Sequence, residues 1–150
     1  MANPFPFVAS TVLTAAQLNG IGESVAFTPT WTGLTVGNGT QSFRYVRVQN
    51  LVYVSGKITL GTTSSVSGNT YFTTPVTSTN QADVSVIGNT YLADSGVGNL
   101  TGLVIYSGNS IFMNAILTNG TYAINASFNA TTPFTWSNGD YIAMSAVYTV

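Results

Sequence analysis

Few side chains in this sequence could carry out acid–base or nucleophilic chemistry. The 150 residues include no histidine and no cysteine, so no histidine proton relay, cysteine nucleophile or thiolate metal site can be built. The four carboxylates are Glu23, Asp83, Asp94 and Asp140, and a pair of them could in principle act as the acid and base of a glycosidase. They fall in predicted turns or strand starts, where such side chains usually accept a nearby backbone N–H. We therefore expect no enzymatic activity, no cofactor and no metal site.

Asp140 has the most specific structural prediction of the four. It ends the segment Ser137-Asn-Gly-Asp140, which is predicted to close a turn before the last strand. A calcium site would require several converging oxygen ligands, and the sequence does not cluster them around this residue.

Residues 31–60 predict a β-hairpin, which supplies the main candidate surface. A turn signal at Asn38-Gly39 precedes two runs rich in Val, Tyr and Ile. A three-residue loop of Gln49, Asn50 and Leu51 would pair Val48 with Val52, Val46 with Val54 and Arg44 with Gly56, whereas a two-residue turn would pair Arg47 with Val52. We expect the longer loop, because it keeps Arg47 away from the apolar face.

The longer loop gives the hairpin one apolar face and one mixed face. The apolar face, expected to line the core, consists of Val46, Val48, Val52, Val54, Ile58 and Leu60. The mixed face consists of Phe43, Tyr45, Arg47, Tyr53, Ser55 and Lys57. It either binds a sugar or a neighbouring subunit, or is a sheet face covered within one subunit. As a binding surface, its candidates are Phe43, Tyr45, Arg47 and Tyr53, with a subunit contact favoured over a sugar site.

The first 12 residues are predicted to form an extended arm. Pro4 and Pro6 favour an extended backbone, and Phe5, Phe7 and Val8 are too apolar for a freely solvated tail. These three side chains are candidate partner-binding residues. No signal peptide is apparent, and no apolar run is long enough for a membrane-spanning helix.

The remaining residues, 13–150, are predicted to form a single domain. A capping-box pattern at 14–17 gives the one expected helix, which would be short. After it, short runs of alternating apolar residues are separated by Gly, Asn and Ser turns, and we count about eight or nine strands. The runs include a first strand at 25–31, two strands at 82–87 and 91–93 around a break at Gly88-Asn89, a hairpin at 102–117 that turns across 107–109, and a last strand at 141–148. A polar loop is predicted at 61–68. Many short strands with no helical periodicity between them predict an all-β fold, an antiparallel β-sandwich of two sheets.

Charge is unusually scarce. Charged residues make up 5% of the chain, against roughly 25% in an ordinary soluble domain, and the formal net charge is −1. The only cations are Arg44, Arg47 and Lys57, which excludes a basic surface for nucleic acid or anionic lipid. A neutral surface has little Coulombic interaction to lose when ionic strength changes, and this suits a particle exposed to varied media.

Two segments resemble small β-sandwich domains of structural proteins from tailed bacteriophages. They are WTGLTVGNGTQSFRYVRVQNLVYVSGKITLG at 31–61, with the strand that follows and ends at Pro75, and PFTWSNGD at 133–140, with the closing strand. The resemblance implies a jelly-roll-like sandwich. Proteins of this kind include head decoration (cement) proteins and tail-fibre or receptor-binding domains, and they are commonly trimeric.

The resemblance therefore implies a homotrimeric virion protein that is assembled in the host cytoplasm and bound to the major capsid protein or other virion proteins. The chain has no coiled-coil heptads and no repetitive shaft, so it is closer to a decoration protein than to a fibre. The alternative is a tail-fibre or receptor-binding module that recognises a host surface glycan.

Overall fold

The computed structural model describes Val12, Thr14, Ala15 and residues 21–150. Within these residues, only Ala15 is helical and ten β-strands are present. Residues 1–11 of the predicted arm and residues 16 and 17 of the predicted helix at 14–17 lie outside the described residues. The strands are β1 (Ser24–Phe27), β2 (Trp31–Thr35), β3 (Thr40–Val48), β4 (Leu51–Thr59), β5 (Ser65–Thr73), β6 (Ser85–Asp94), β7 (Gly98–Ser107), β8 (Ser110–Thr118), β9 (Ala123–Ser127) and β10 (Tyr141–Thr149).

The strands form one antiparallel sheet, which confirms the all-β prediction. Their order is β1-β3-β4-β10-β6-β7-β8-β5-β2, and β9 pairs with β8 beside this path. The strand predicted at 25–31 is split into β1 and β2, which lie at opposite ends of the order. Pro29 lies between them, and proline has no N–H to contribute to a strand ladder. No helix in the described part is long and apolar enough to cross a membrane.

The sheet curls into a half-barrel because aromatic side chains bring its two ends together. Trp31 of β2 lies with its ring centroid 5.6 Å from that of Phe43 in β3, and the Phe27 and Phe72 centroids are 6.0 Å apart. The Trp31 indole N–H also donates to the Gln41 side-chain oxygen at 2.8 Å. The edge-to-face arrangement of Trp31 and Phe43 contributes packing energy beyond the area that the rings bury.

The core lies on the concave side and follows the two-residue period of the strands. In β10, every second side chain from Ile142 to Tyr148 is buried, and in β8 the same holds from Ile111 to Ala115. The closing strand and the β7–β8 hairpin are therefore confirmed. The hairpin turns at Gly108 and Asn109, whose φ angles of 56° and 61° fit a primed turn.

The register predicted for the β3–β4 hairpin is wrong. Val48 pairs with Leu51 and Arg47 pairs with Val52, so the loop contains only Gln49 and Asn50. Gln49 adopts a φ of 52°, as a tight hairpin turn requires. The Arg47 Nε–H donates to the Gln49 carbonyl at 2.9 Å, which gives the guanidinium a partner at the end of the hairpin.

A one-residue change of register moves every β3 side chain to the opposite face. Phe43 and Tyr45 consequently face the core, whereas Val46 and Val48, which were expected there, face outward. Phe43 pairs with Gly56, and a Cβ atom at Gly56 would lie 2.1 Å from a Phe43 ring carbon. The missing side chain therefore makes room for the ring.

Two segments that were predicted to separate strands lie partly or wholly within strands instead. β5 begins at Ser65, so the loop predicted at 61–68 is shortened to a turn closed by Asn38, whose Oδ1 accepts the Thr63 N–H at 2.9 Å. The turn predicted at Gly88-Asn89 lies within β6 instead. A Cβ atom at Gly88 would lie 2.0 Å from the Ser145 carbonyl oxygen, so glycine serves close strand packing here.

We predict that Gly56→Ala destabilises the protein, because a methyl group would collide with the buried Phe43 ring. Overpacking of a core typically costs about 1 to 3 kcal/mol. Gly68→Ala is the matched control, since a Cβ atom placed on Gly68 would have no other atom within 4 Å and the φ angle of this residue is not positive. Urea unfolding followed by tryptophan fluorescence measures both free energies. Equal stability of the two variants would contradict the observed Phe43–Gly56 pairing.

Candidate functional site

The structure separates the residues predicted to bind a partner. Phe5, Phe7 and Val8 lie outside the described residues. Phe43 is buried in the core, and Tyr45 is half-buried with its ring centroid 5.8 Å from that of Phe27.

Arg47 and Tyr53 are also on different sides of the sheet. Arg47 is half-buried on the concave side, and Tyr53 lies on the convex side with 43% of its surface exposed. The prediction that Phe43, Tyr45, Arg47 and Tyr53 share one face is therefore wrong, and only Tyr53 belongs to the outer surface.

Tyr53 flanks a shallow groove on the convex side of β4, β10 and β6. The groove has a volume of about 390 Å³ and an uncharged lining that includes Tyr91 at its other side. Its floor is a row of small side chains, since Ser55 pairs with Ser145 and Ser145 pairs with Asn89. We call this surface the tyrosine groove; its lining is Tyr53, Ser55, Asn89, Thr90, Tyr91, Thr101, Ala143, Met144 and Ser145.

The ring of Tyr91 is held by neighbouring side chains. Tyr141 stacks on it with centroids 5.9 Å apart and an interplanar angle of 28°, and the Lys57 ammonium lies 3.8 Å from the centre of the Tyr141 ring. Partial desolvation, followed by the nearby Tyr141 hydroxyl, raises the pKa of Tyr91 above its ordinary value. Tyr91 thus presents a neutral phenol at physiological pH.

A second convex surface is apolar. Tyr71 pairs with Phe112, Phe112 with Ile105 and Ile105 with Val86, so these four outward side chains form one row across β5, β8, β7 and β6. The Tyr71 and Phe112 rings lie 4.5 Å apart, and Val86 is 61% exposed. We call this row the apolar strip. The outer face of an antiparallel sheet is commonly solvated and polar, so this apolar row is a candidate contact surface.

The strip has a polar border along one side. Thr73, Ser110 and Ser107 form the neighbouring row, and none of them is charged. An apolar centre with a polar border is typical of protein–protein contacts.

Asp140 holds three chain segments together, as well as closing the turn predicted from the sequence. It is 0% exposed, and its Oδ1 accepts the Ser95 N–H at 2.8 Å. Its Oδ2 accepts the Ser137 N–H at 2.6 Å, and its carbonyl accepts the Leu60 N–H at 2.8 Å. Both oxygens of this carboxylate accept backbone hydrogen bonds that stabilise the fold, as expected for a turn aspartate.

Asp83 also accepts a backbone N–H. It is exposed, and the Gly108 N–H, 2.8 Å from its Oδ1, lowers the pKa of its carboxyl, with a smaller effect from the Ser107 hydroxyl. Within the described residues, no group of three or more His, Cys, Asp or Glu side chains could hold a metal ion.

Tyr148 has the most strongly perturbed pKa among the described residues. It is buried, and its hydroxyl donates to the Val76 carbonyl at 2.8 Å. Burial raises the pKa of Tyr148 to about 12. Because the folded pKa exceeds the ordinary value of about 10, the contribution of this phenol to stability is complete below about pH 10 and is lost as the pH rises toward about 12.

Sequence reasoning missed most of the groove. It places Tyr91 and Tyr141 in strands without assigning them to a surface, and it places Asn89 in a turn. The alternation of Tyr141, Ala143, Ser145 and Val147 with buried neighbours could have identified one outward face. No local pattern indicates that β10 lies between β4 and β6.

We predict that Asp140→Asn lowers the free energy of unfolding by about 1 to 3 kcal/mol, because an amide has one acceptor oxygen for two buried backbone donors. Glu23→Gln is the control, since it makes the same chemical change on an exposed side chain. Chemical denaturation at neutral pH measures both effects. If the two variants are equally stable, the Asp140 hydrogen bonds do not support the fold as described.

Comparisons with protein-family models, curated proteins and solved structures find no match to this chain. The two convex surfaces therefore have to be interpreted from their own residues. One is an uncharged groove between two tyrosines, and the other is an apolar strip with a polar border.

Proposed function

We propose that this chain is a non-enzymatic structural protein of a bacteriophage virion, a capsid decoration protein that reinforces the head shell as a homotrimer. The motif resemblance of residues 31–75 and 133–150 supports the assignment to virion proteins. The observation that carries the subunit contact is the apolar strip on the convex side of the sheet.

The strip fits a second copy of this chain better than a charged partner. The side chains of Tyr71, Phe112, Ile105 and Val86 are all neutral, so two copies meet without like-charge repulsion. Tyrosine and phenylalanine are enriched at the centres of protein interfaces because they bury a large area with few rotatable bonds. The strip is the centre of the proposed contact, and neighbouring polar rows supply its border.

Attachment to the major capsid protein is assigned to the N-terminal arm. Burying Phe5, Phe7 and Val8 removes a few hundred Å² of apolar surface from water, which contributes on the order of 5 kcal/mol at about 25 cal/mol per Å². Ordering each residue costs roughly 1 to 2 kcal/mol, so a single arm binds weakly. Three arms on one trimer bind as a unit, and this avidity gives stable attachment.

We also propose that the two halves of the curled sheet face each other as the layers of a jelly-roll-like sandwich. Contacts between strands that are not neighbours support this arrangement. The ring centroids of Phe43 in β3 and Phe72 in β5 are 5.6 Å apart across the concave side, and that of Trp31 in β2 is also 5.6 Å from that of Phe43. Such contacts are those expected between two facing layers.

The second candidate function is a receptor-binding module of a tail fibre that recognises a host surface glycan. The tyrosine groove favours it, because aromatic rings and neutral hydroxyl or amide groups are suited to saccharides. Copy number separates the two candidates. A decoration protein is expected in hundreds of copies per particle, whereas a tail module is expected in a few to a few dozen.

We predict that Phe112→Lys converts the trimer into a monomer without unfolding it, because the side chain points outward and a buried unpaired ammonium opposes assembly. Size-exclusion chromatography with light scattering measures the mass, and circular dichroism checks the fold. Tyr122→Lys is the control, since Tyr122 is 71% exposed and lies away from the strip. A wild-type protein that remains monomeric, with and without capsids, would rule out the trimer.

We predict that deleting residues 2–12 leaves thermal stability and trimer mass unchanged and strongly reduces binding to capsid shells. The double variant Phe5→Ser, Phe7→Ser keeps the arm length and should show the same loss. Co-sedimentation with shells measures binding. Loss of folding or of trimer formation in the deletion variant would place the arm in the core or the subunit contact instead.

A further inference from the structure

The floor of the tyrosine groove contains three polar side chains in a single row. Ser55, Ser145 and Asn89 come from adjacent strands, so their Cα atoms follow one another at about 4.8 Å spacing across the sheet. None of the three side chains makes a hydrogen bond within the described part of the chain, whereas Asn38, Ser78 and Asn109 are all bonded internally. Two hydroxyls and one amide therefore remain available to a ligand.

Two tyrosines bound this row at a separation that suits a small oligosaccharide. Tyr53 and Tyr91 are two strands apart and offset by four residues, and each is 43% exposed. With about 4.8 Å between strands and about 3.3 Å per residue, their Cα atoms lie about 16 Å apart. Stacking on Tyr141 holds the Tyr91 ring in place before any ligand arrives, which reduces the ordering cost of binding.

The cations near the groove are engaged elsewhere. Arg44 pairs with Ser55 across the strands, but its Nε–H donates to the Ser24 hydroxyl and its Nη2 to the Ser24 carbonyl, both at 2.7 Å. The Lys57 ammonium lies over the Tyr141 ring. Neither cation belongs to the groove lining, which therefore carries no positive charge for a phosphate, sulfate or carboxylate group.

We propose that the tyrosine groove binds a neutral saccharide, with sugar rings against Tyr53 and Tyr91 and sugar hydroxyls bonded to Ser55, Ser145 and Asn89. A pyranose ring has an apolar C–H face and a rim of hydroxyls, which matches flat aromatic walls beside neutral polar groups. A peptide added as a strand requires a free sheet edge, but β4, β10 and β6 are each paired on both sides. This inference deepens the second candidate function and does not rest on the trimer.

The test is binding of defined oligosaccharides to the full chain, followed by NMR chemical-shift changes at millimolar ligand. The neutral probes are tetrasaccharides of glucose, mannose and N-acetylglucosamine, and the acidic probe is tetragalacturonate. We expect at least one neutral probe to bind and to shift the signals of Asn89 and Ser145. A free oligosaccharide and a surface polysaccharide present the same repeating unit. Tighter binding of the polymer than of its tetrasaccharide would identify the polysaccharide as the ligand.

Variants locate the binding site. We expect Tyr91→Ala to weaken binding about tenfold and Tyr91→Phe to retain it, because stacking requires the ring and not the hydroxyl. Asn89→Ala removes only an exposed amide, so it should weaken binding without unfolding the protein. This variant tests the polar floor even if Tyr91→Ala proves unstable. Tyr122→Ala is the matched control, and it should bind like the wild type.

Failure of this inference is distinguishable from failure of the trimer. Phe112→Lys should abolish the trimer and leave the affinity for a tetrasaccharide unchanged. Absence of binding by every neutral probe, binding of tetragalacturonate alone, or wild-type affinity in both Tyr91→Ala and Asn89→Ala would overturn the saccharide site.

Discussion

The two-residue turn at Gln49 and Asn50 fixes the register of β3 and β4, and both sides of the sheet depend on it. The turn directs Phe43 inward over Gly56, where its ring meets Trp31 and Phe72 from the other end of the sheet. Those ring contacts hold the two ends of the curled sheet together. The same register directs Tyr53 outward, to the convex side where β10 and β6 supply the rest of the groove.

The chain has few charged groups, and most of them interact with other residues of the same chain. Asp140 binds backbone N–H groups, Arg44 binds Ser24, and Lys57 lies over Tyr141. The contacts that we propose on the convex side then depend on apolar packing and on neutral hydrogen bonds. The strip on β5, β8 and β7 and the groove on β4, β10 and β6 divide these two kinds of contact between separate surfaces.

Much of the strand content was predictable, and most of the candidate site was not. The β7–β8 hairpin, the last strand and the turn at Asp140 follow from alternating apolar residues and local turn chemistry. The predicted face of β3 is wrong because the tight turn, and not the exclusion of Arg47 from the apolar side, sets the register. In the structure Arg47 reaches the Gln49 carbonyl, so a cation is tolerated at the hairpin end.

The sequence by itself determined the all-β class, the lack of histidine and cysteine chemistry, and a nearly uncharged surface, because composition and two-residue periodicity are local properties. Only the tertiary structure decided that Tyr53 and Tyr91 flank one groove and that Tyr71, Phe112, Ile105 and Val86 form one row. Strand order and register arise from hydrogen bonds between segments far apart in the chain. A shift of one residue in any pairing exchanges the buried and exposed faces.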